Sequence, residues 1–114
     1  MHELALIQGV LDSVAKAAQK NDIERISKIK LVVGQMTAAL PHALRFCFEV
    51  EKEGNPLLEG AELEIAEEEI VARCMDCGRE FHVVELIFRC PDCHSGGVTV
   101  IKGRELYIDY IEGE

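Results

Sequence analysis

The sequence predicts an α+β protein, in which a three-stranded sheet carries two helices and a small cysteine-rich domain is inserted between two of the strands. Three observations lead to this prediction. Apolar residues recur with a helical period in two segments, they alternate with polar residues in three others, and four of the five cysteines lie within residues 70–103. The helical and alternating segments together form one domain, and the cysteines mark a second.

The first helix is predicted over residues 3–20. Apolar side chains recur there at steps of three and four residues, whereas Asp12, Lys16 and Lys20 lie off this face. This is the pattern of an amphipathic helix with one buried side, and Leu4 is expected to be its first packed residue. The apolar face consists of Leu4, Ile7, Leu11, Val14 and Ala18, with Val10 and Ala15 beside it.

The second helix lies between the first and second strands. Thr37 is expected to cap it and Pro41 to lie in its first turn, and the sequence Gly54-Asn55-Pro56 ends it. Alternation of apolar and polar residues predicts the strands, because it gives a sheet one buried face. The three strands are expected around residues 29–34, 62–65 and 106–110.

The cysteine-rich segment divides the chain into two domains. Two strands alone are marginal in water, so the last strand is expected to return to the sheet of the first two. This gives one α/β domain formed by residues 1–69 and 104–114, with residues 70–103 as an inserted domain. The run of three glutamates at 67–69 is expected to be a solvated connection into the insert.

The formal charge of −9, from 12 basic against 21 acidic residues, argues against two kinds of partner. Nucleic acids and anionic membrane surfaces both require clustered Lys and Arg, and the sequence has no basic stripe. It also has no apolar run near the roughly 20 residues that span a bilayer. Glu3 and Asp12 stand where a secretory signal would be basic. We therefore expect a cytoplasmic protein, in which reduced cysteines indicate metal or redox chemistry.

Cys74, Cys77, Cys90 and Cys93 form two CxxC pairs with twelve residues between them. Two such pairs supply the four thiolates of a structural Zn(II) site, and this closed set leaves no open position for catalysis. The alternative is a redox dithiol or a pair of disulfides, but redox CxxC pairs usually begin a helix and neither pair does so here. Cys47 lies apart, on the apolar face of the second helix, and is expected to pack in the core.

Met1-His2-Glu3 is a second candidate metal site. The α-amine of Met1, the amide nitrogen of His2 and the His2 imidazole can close fused chelate rings around one ion. Nitrogen donors in a plane suit Ni(II) or Cu(II), whereas Zn(II) prefers a tetrahedron. A solvated terminal histidine is the alternative that this chemistry alone leaves open.

The sequence resembles the HypA/HybF family of nickel metallochaperones for hydrogenase maturation over its whole length. The resemblance rests on the order and spacing of several short motifs rather than on any one of them. These motifs are MHEL at the start, VVGQM after the first strand, FCFE at 46–49, EGAELEI at 59–65, both CxxC pairs, and KGRELYI near the end.

This resemblance implies a function and a set of partners. Nickel would bind at Met1, His2 and Glu3, with Glu3 contributing its backbone or a nearby acidic group, and zinc would bind at the four cysteines. Family members act with a nickel-binding GTPase and pass the ion to the large-subunit precursor of [NiFe] hydrogenase, and some also serve urease maturation. The implied protein is not an enzyme, and it is a monomer or a homodimer.

Two histidines extend the possible donor set. His94 follows the second CxxC pair, where the family more often has glycine, and it is an exposed turn residue, an alternative zinc ligand or an extra nickel donor. His82 is a further candidate for the fourth nickel ligand. A different function also remains open at this point, namely a zinc-ribbon interaction module without metal transfer, which would not bind nickel.

Overall fold

The computed structural model describes residues 2–114 and confirms the predicted fold class. The elements are α1 (Glu3–Lys20), β1 (Ile26–Gly34), α2 (Pro41–Lys52), β2 (Glu62–Glu68), β3 (Val71–Cys74), β4 (Glu80–His82), β5 (Val98–Lys102) and β6 (Leu106–Gly113), with short 3₁₀ turns at Gln35–Thr37 and Pro56–Leu58. One sheet has the strand order β2-β1-β6, the other has the order β4-β3-β5, and α1 contacts α2. Neither helix within residues 2–114 has the length and apolar character of a membrane span.

The chain divides into two compact units. The first consists of Met1–Val32, Ala39–Ala66 and Tyr107–Glu114, and the second of Val33–Ala38 and Glu67–Leu106. Both helices therefore belong to the first unit. All four cysteines of the CxxC pairs belong to the second.

The first unit has a core built from the apolar faces of both helices. Helix α1 buries Ile7, Val10, Val14 and Ala18 at the predicted helical spacing, and α2 buries Leu44 and Phe48. Leu4 is 46% exposed, so the prediction that it packs was wrong, and the first buried residue of α1 is Ile7, one turn later. Cys47 is only half-buried, and its expected place in the core is likewise corrected. Lys28 of β1 pairs with Glu64 of β2 at 2.8 Å on the polar face of the sheet.

The start of α2 differs from the prediction. Pro41 is the first residue of the helix, as expected, because its missing N–H and fixed φ suit that position. Thr37 does not cap the helix but ends a 3₁₀ turn, where its hydroxyl donates to the carbonyl of Gly34 at 2.8 Å. The residue at the cap position is Leu40, whose side chain has no oxygen to accept from the first turn.

The second unit is a small antiparallel sheet with β3 in its centre. Ala72 faces Phe81 of β4 and Val100 of β5 in the strand register. The glutamates that lead into this sheet are partly or fully exposed, and two of them form ion pairs. Glu68 pairs with Lys102 at 3.0 Å, and Glu69 pairs with the Nδ1 atom of His82 at 2.9 Å.

Two glycines allow a close backbone approach within the second unit. The N–H of Gly34 donates to the carbonyl of Glu105, and the N–H of Met36 donates to that of Gly103 at 2.8 Å. A Cβ atom on Gly34 would overlap the carbonyl oxygen of Gly103, which itself has a φ of 113°. Both positions therefore require glycine, and this explains why the VVGQM and KGRELYI segments each contain one.

Candidate metal centre

The first CxxC pair lies in a tight turn at the end of β3. The N–H of Cys74 donates to the carbonyl of Arg79 at 2.8 Å, and the N–H of Gly78 donates back to the carbonyl of Cys74 at 2.9 Å. The N–H of Cys77 points to the sulfur of Cys74, with the two atoms 3.5 Å apart. Gly78 has a φ of 79°, so the turn uses glycine where the chain adopts a left-handed conformation.

The second CxxC pair repeats this turn with the same hydrogen bonds. The N–H of Cys90 donates to the carbonyl of Ser95 at 3.0 Å, and the N–H of His94 donates to the carbonyl of Cys90 at 3.0 Å. His94 takes the position of Gly78, has a φ of 61° and is exposed. Glycine is the easiest residue at such a position, but histidine is among the residues that adopt it most readily. The turn therefore keeps its shape despite the departure from the family pattern.

The two turns bring the four cysteine sulfurs together. All four Sγ atoms lie within 4.8 Å of one another, with 3.5 Å between Cys74 and Cys93 and 3.6 Å between Cys77 and Cys90. A tetrahedral Zn(II) with Zn–S bonds of about 2.3 Å requires sulfurs about 3.8 Å apart, so the donor set and its size both fit zinc. Across residues 2–114, this is the only cluster of three or more Cys, His, Asp or Glu donors at metal-binding distance.

Backbone N–H groups and neighbouring thiols together shift the pKa values of the four cysteines, two downward and two upward. The pKa of Cys74 is lowered to about 7, first because the N–H of Cys77 donates to its sulfur, and that of Cys90 is lowered by the N–H of Cys93. The pKa of Cys77 is raised, and that of Cys93 is raised to about 12. In each of these two, the N–H two residues further on lowers the pKa, but neighbouring thiols and burial raise it more. The two thiols with lowered pKa values are also the two buried ones.

The amino-terminal candidate site lies partly outside the described residues. Met1, whose amine is the expected nickel donor, is not among them. His2 is exposed at the start of α1, where its carbonyl accepts from the N–H of Leu6 at 3.1 Å.

Glu3 has a structural role that the sequence did not reveal. Its Oε2 atom accepts a hydrogen bond at 3.2 Å from the N–H of Leu40, the residue at the cap position of α2, and so satisfies one of the backbone donors at the start of this helix. This bond is the main reason why the pKa of Glu3 is lowered. The sequence carries no local signal for this bond, because the two residues are 37 positions apart.

The other candidate nickel donors are both exposed and belong to the second unit. His82 lies in β4 with its Nδ1 atom 2.9 Å from Glu69, so one ring nitrogen is already paired. His94 lies in the second cysteine turn and is not part of the four-sulfur cluster. His42, on α2, is exposed as expected.

The family model and the relatives that match this chain belong to the same family. Residues 1–113 match the family model described as hydrogenase/urease nickel incorporation, metallochaperone, hypA. A hydrogenase maturation factor HypA from Moorella thermoacetica is 45% identical over 114 residues and is covered in full, as is this chain. One from Desulfitobacterium hafniense is 36% identical, with 100% of this chain and 99% of the relative covered.

Solved structures agree with the sequence comparison. The solution structure of the Ni metallochaperone HypA from Helicobacter pylori has a TM-score of 0.69 and 25% identity, with 99% of this chain and 97% of that chain covered. A second solution structure, of a HypA protein, has a TM-score of 0.72 at 25% identity and covers 100% of this chain and 97% of its own. The similarity therefore extends over the whole fold.

Proposed function

The chain belongs to the HypA family of nickel-incorporation metallochaperones, and we propose that it binds Ni(II) at its amino terminus and delivers it for maturation of [NiFe] hydrogenase. The observation that carries this proposal is the match of the family model to residues 1–113, which include both candidate sites. The first unit is proposed to hold the nickel cargo, and the second to hold a resident Zn(II).

The four cysteine sulfurs support zinc as the resident ion. Zn(II) binds thiolates in a tetrahedron, and the sulfur spacing of 3.5 and 3.6 Å is close to what this geometry needs. Four protein ligands leave no position for water, so the ion contributes to folding and not to a reaction. Cys74, Cys77, Cys90 and Cys93 are its proposed ligands.

Three features support nickel binding at Met1, His2 and Glu3. The Met1 amine, the His2 amide nitrogen and the His2 imidazole are nitrogen donors that can lie in one plane around Ni(II). His2 is exposed, so a partner protein can reach the ion. Glu3 is tied to Leu40 and thereby fixes the start of α1 against the start of α2, which limits the motion of the adjacent His2.

The proposed role determines the partners. A nickel-binding GTPase and the hydrogenase large-subunit precursor are the proposed exchange partners, in the cytoplasm, and no catalytic turnover is required of this chain. The exchange relies on the contrast between an exposed nickel site on a chain end and a closed thiolate site within a folded unit. Nickel can leave without disturbing the zinc.

Nickel titration of the untagged protein tests the proposal. Isothermal titration calorimetry should give one specific Ni(II) site per chain in the native protein and none in the His2→Ala protein. His42→Ala is the matched control, because it removes an exposed histidine of the same unit. An interaction module without metal transfer would bind no nickel, and equal binding by the His2→Ala protein would contradict the proposed site.

Two further histidine variants test the fourth nickel ligand. If His82 or His94 completes the nickel site, His82→Ala or His94→Ala should lower the nickel affinity while leaving the zinc content unchanged. The transfer itself is measured with radioactive nickel loaded on this chain and mixed with the GTPase and the large-subunit precursor. Label that stays on this chain would contradict delivery.

A further inference from the structure

The two cysteine turns are joined by a reciprocal pair of side-chain contacts. Arg79, the last residue of the first turn, donates from Nη1 to Oδ1 of Asp92 in the second turn at 2.5 Å. Ser95, the last residue of the second turn, donates from Oγ to Oδ2 of Asp76 in the first turn. These four residues, Asp76, Arg79, Asp92 and Ser95, form what we call the crossed latch.

The crossed latch uses equivalent positions in both turns. Asp76 and Asp92 each stand two residues after the first cysteine of their pair, and Arg79 and Ser95 each stand five residues after it. The contacts therefore follow the same twofold pattern as the backbone hydrogen bonds of the turns. A single surface ion pair would be weak evidence for a role. Here two contacts at equivalent positions both join the same two cysteine turns.

The crossed latch joins the two turns through side chains. The hydrogen bonds around Cys74 fix the first turn, and those around Cys90 fix the second. One backbone hydrogen bond, from the N–H of Met75 to the carbonyl of Gly97 at 2.8 Å, joins the first turn to the segment after the second, and the latch adds two contacts between the turns themselves. The latch contacts bridge the two turns directly, on residues that flank the ligands but leave the sulfurs free.

We propose that the crossed latch positions the two turns for metal binding and slows release of the metal, resting here on the proposed zinc occupancy of the four cysteines. Zinc leaves a four-thiolate site by losing one sulfur at a time. While the latch is closed, a detached sulfur stays close to the ion and rebinds, because tethering raises its effective concentration. When the latch is open, one turn can move away with its pair of sulfurs.

The test measures zinc release from the intact protein to an excess of a chromophoric chelator. Asp76→Ala and Asp92→Ala each remove the acceptor from one arm of the latch and leave the cysteines in place. Both arms are exposed contacts, so each variant should release zinc roughly two- to fivefold faster than the native protein. The double variant should be faster than either single one.

Glu80→Ala is the matched control. Glu80 pairs with Arg73 at 3.0 Å, in the same unit and with similar exposure, and its loss removes the same charge as the aspartate variants. This pair joins β3 to β4 and does not bridge the cysteine turns. Its zinc release should match the native rate, and latch variants no faster than Glu80→Ala would overturn the proposal.

A charge exchange separates positioning from a general loss of stability. The double variant Arg79→Asp with Asp92→Arg restores an ion pair between the turns and should return release towards the native rate. Release as fast as in Asp92→Ala would contradict the latch. The Co(II) absorption spectrum of each variant reports whether the four-thiolate site has formed. Native protein without zinc would instead contradict the proposed zinc site, independently of the latch.

Discussion

The two units of the protein bury their residues in different ways. The first unit encloses large apolar side chains from both helices and from the sheet, among them Ile7, Leu44 and Phe48. The core of the second sheet is a cluster of six buried residues, and two of them are cysteines of the metal centre. They are Ile70, Ala72, Cys74, Phe81, Val83 and Cys90.

This difference indicates what stabilises each unit. Each fully buried large apolar side chain contributes about 1.5–3 kcal/mol, so burial is the main favourable term in the first unit. The second unit has few such residues, whereas a structural zinc in small modules contributes about 10–16 kcal/mol. A change at the metal should therefore act on the second unit, and a change in the apolar core on the first.

The largest effect is expected from Cys90→Ser. Cys90 is fully buried and supplies one of the four sulfurs, so its loss removes both the metal and part of the core. Zinc content should fall towards zero, and amide hydrogens of β3, β4 and β5 should exchange at the rate of an unfolded segment. Amides of α1 should remain protected. Inductively coupled plasma mass spectrometry and segment-resolved hydrogen exchange measure the two results.

Two outcomes of the Cys90→Ser experiment would contradict this view of the units. Native zinc content would remove Cys90 from the metal site. Loss of protection in α1 together with the second sheet would mean that the units do not fold separately. Cys47→Ser is the control, because it makes the same substitution at a half-buried cysteine outside the four-sulfur cluster.

The converse change is Phe48→Ala in the first unit. Phe48 is 1% exposed, and removing such a side chain typically costs about 3–5 kcal/mol of unfolding free energy. Phe46 lies on the same helix but is 70% exposed, so Phe46→Ala should change that free energy by less than about 0.5 kcal/mol. Urea unfolding followed by the helix signal measures both. Both folded variants should retain full zinc, and equal losses for the two phenylalanines would contradict the described core.

Much of the first unit could be predicted because its pattern is periodic. The helical period of Ile7, Val14 and Ala18 predicted α1, and the structure gives it the predicted bounds of Glu3–Lys20. Pro41 correctly indicated the start of α2. The assignment of Thr37 as its cap was wrong, because Thr37 ends a separate 3₁₀ turn and Leu40 takes the cap position.

The second unit was harder to predict in detail. Its strands are three to five residues long, which is too short for an alternating pattern to reveal their positions. The clustering of the four cysteines was predictable, since CxxC spacing itself restricts the sulfurs. The crossed latch was not, because it depends on how two separate turns meet.

A smaller effect, confined to the nickel site, is expected from extending the chain before Met1. An added residue converts the Met1 amine to an amide, which binds nickel only after losing a proton. Nickel affinity near neutral pH should fall by more than about tenfold, that is by more than 1.4 kcal/mol. The same extension at the carboxy terminus is the control. Calorimetric titration that gives equal affinities would remove the amine from the site and leave His2 as its anchor.

The smallest expected effect is a dependence of the first unit on Glu3 in acid. The pKa of Glu3 is lowered in the folded protein, chiefly because the N–H of Leu40 donates to its carboxylate. A pKa that is lower in the folded state stabilises the unit at pH values above the ordinary glutamate pKa of about 4.3, and this contribution disappears as the pH falls through the lowered value.

Glu3→Gln keeps an acceptor oxygen but no charge. Its melting temperature, followed by the signal of α1, should therefore lie below the native one near pH 6 and approach it as the pH falls below 4. Glu59→Gln, which removes an exposed charge of the same unit, is the control. If the difference in melting temperature between the native and Glu3→Gln proteins does not change with pH, the Leu40 hydrogen bond does not depend on the charge of Glu3.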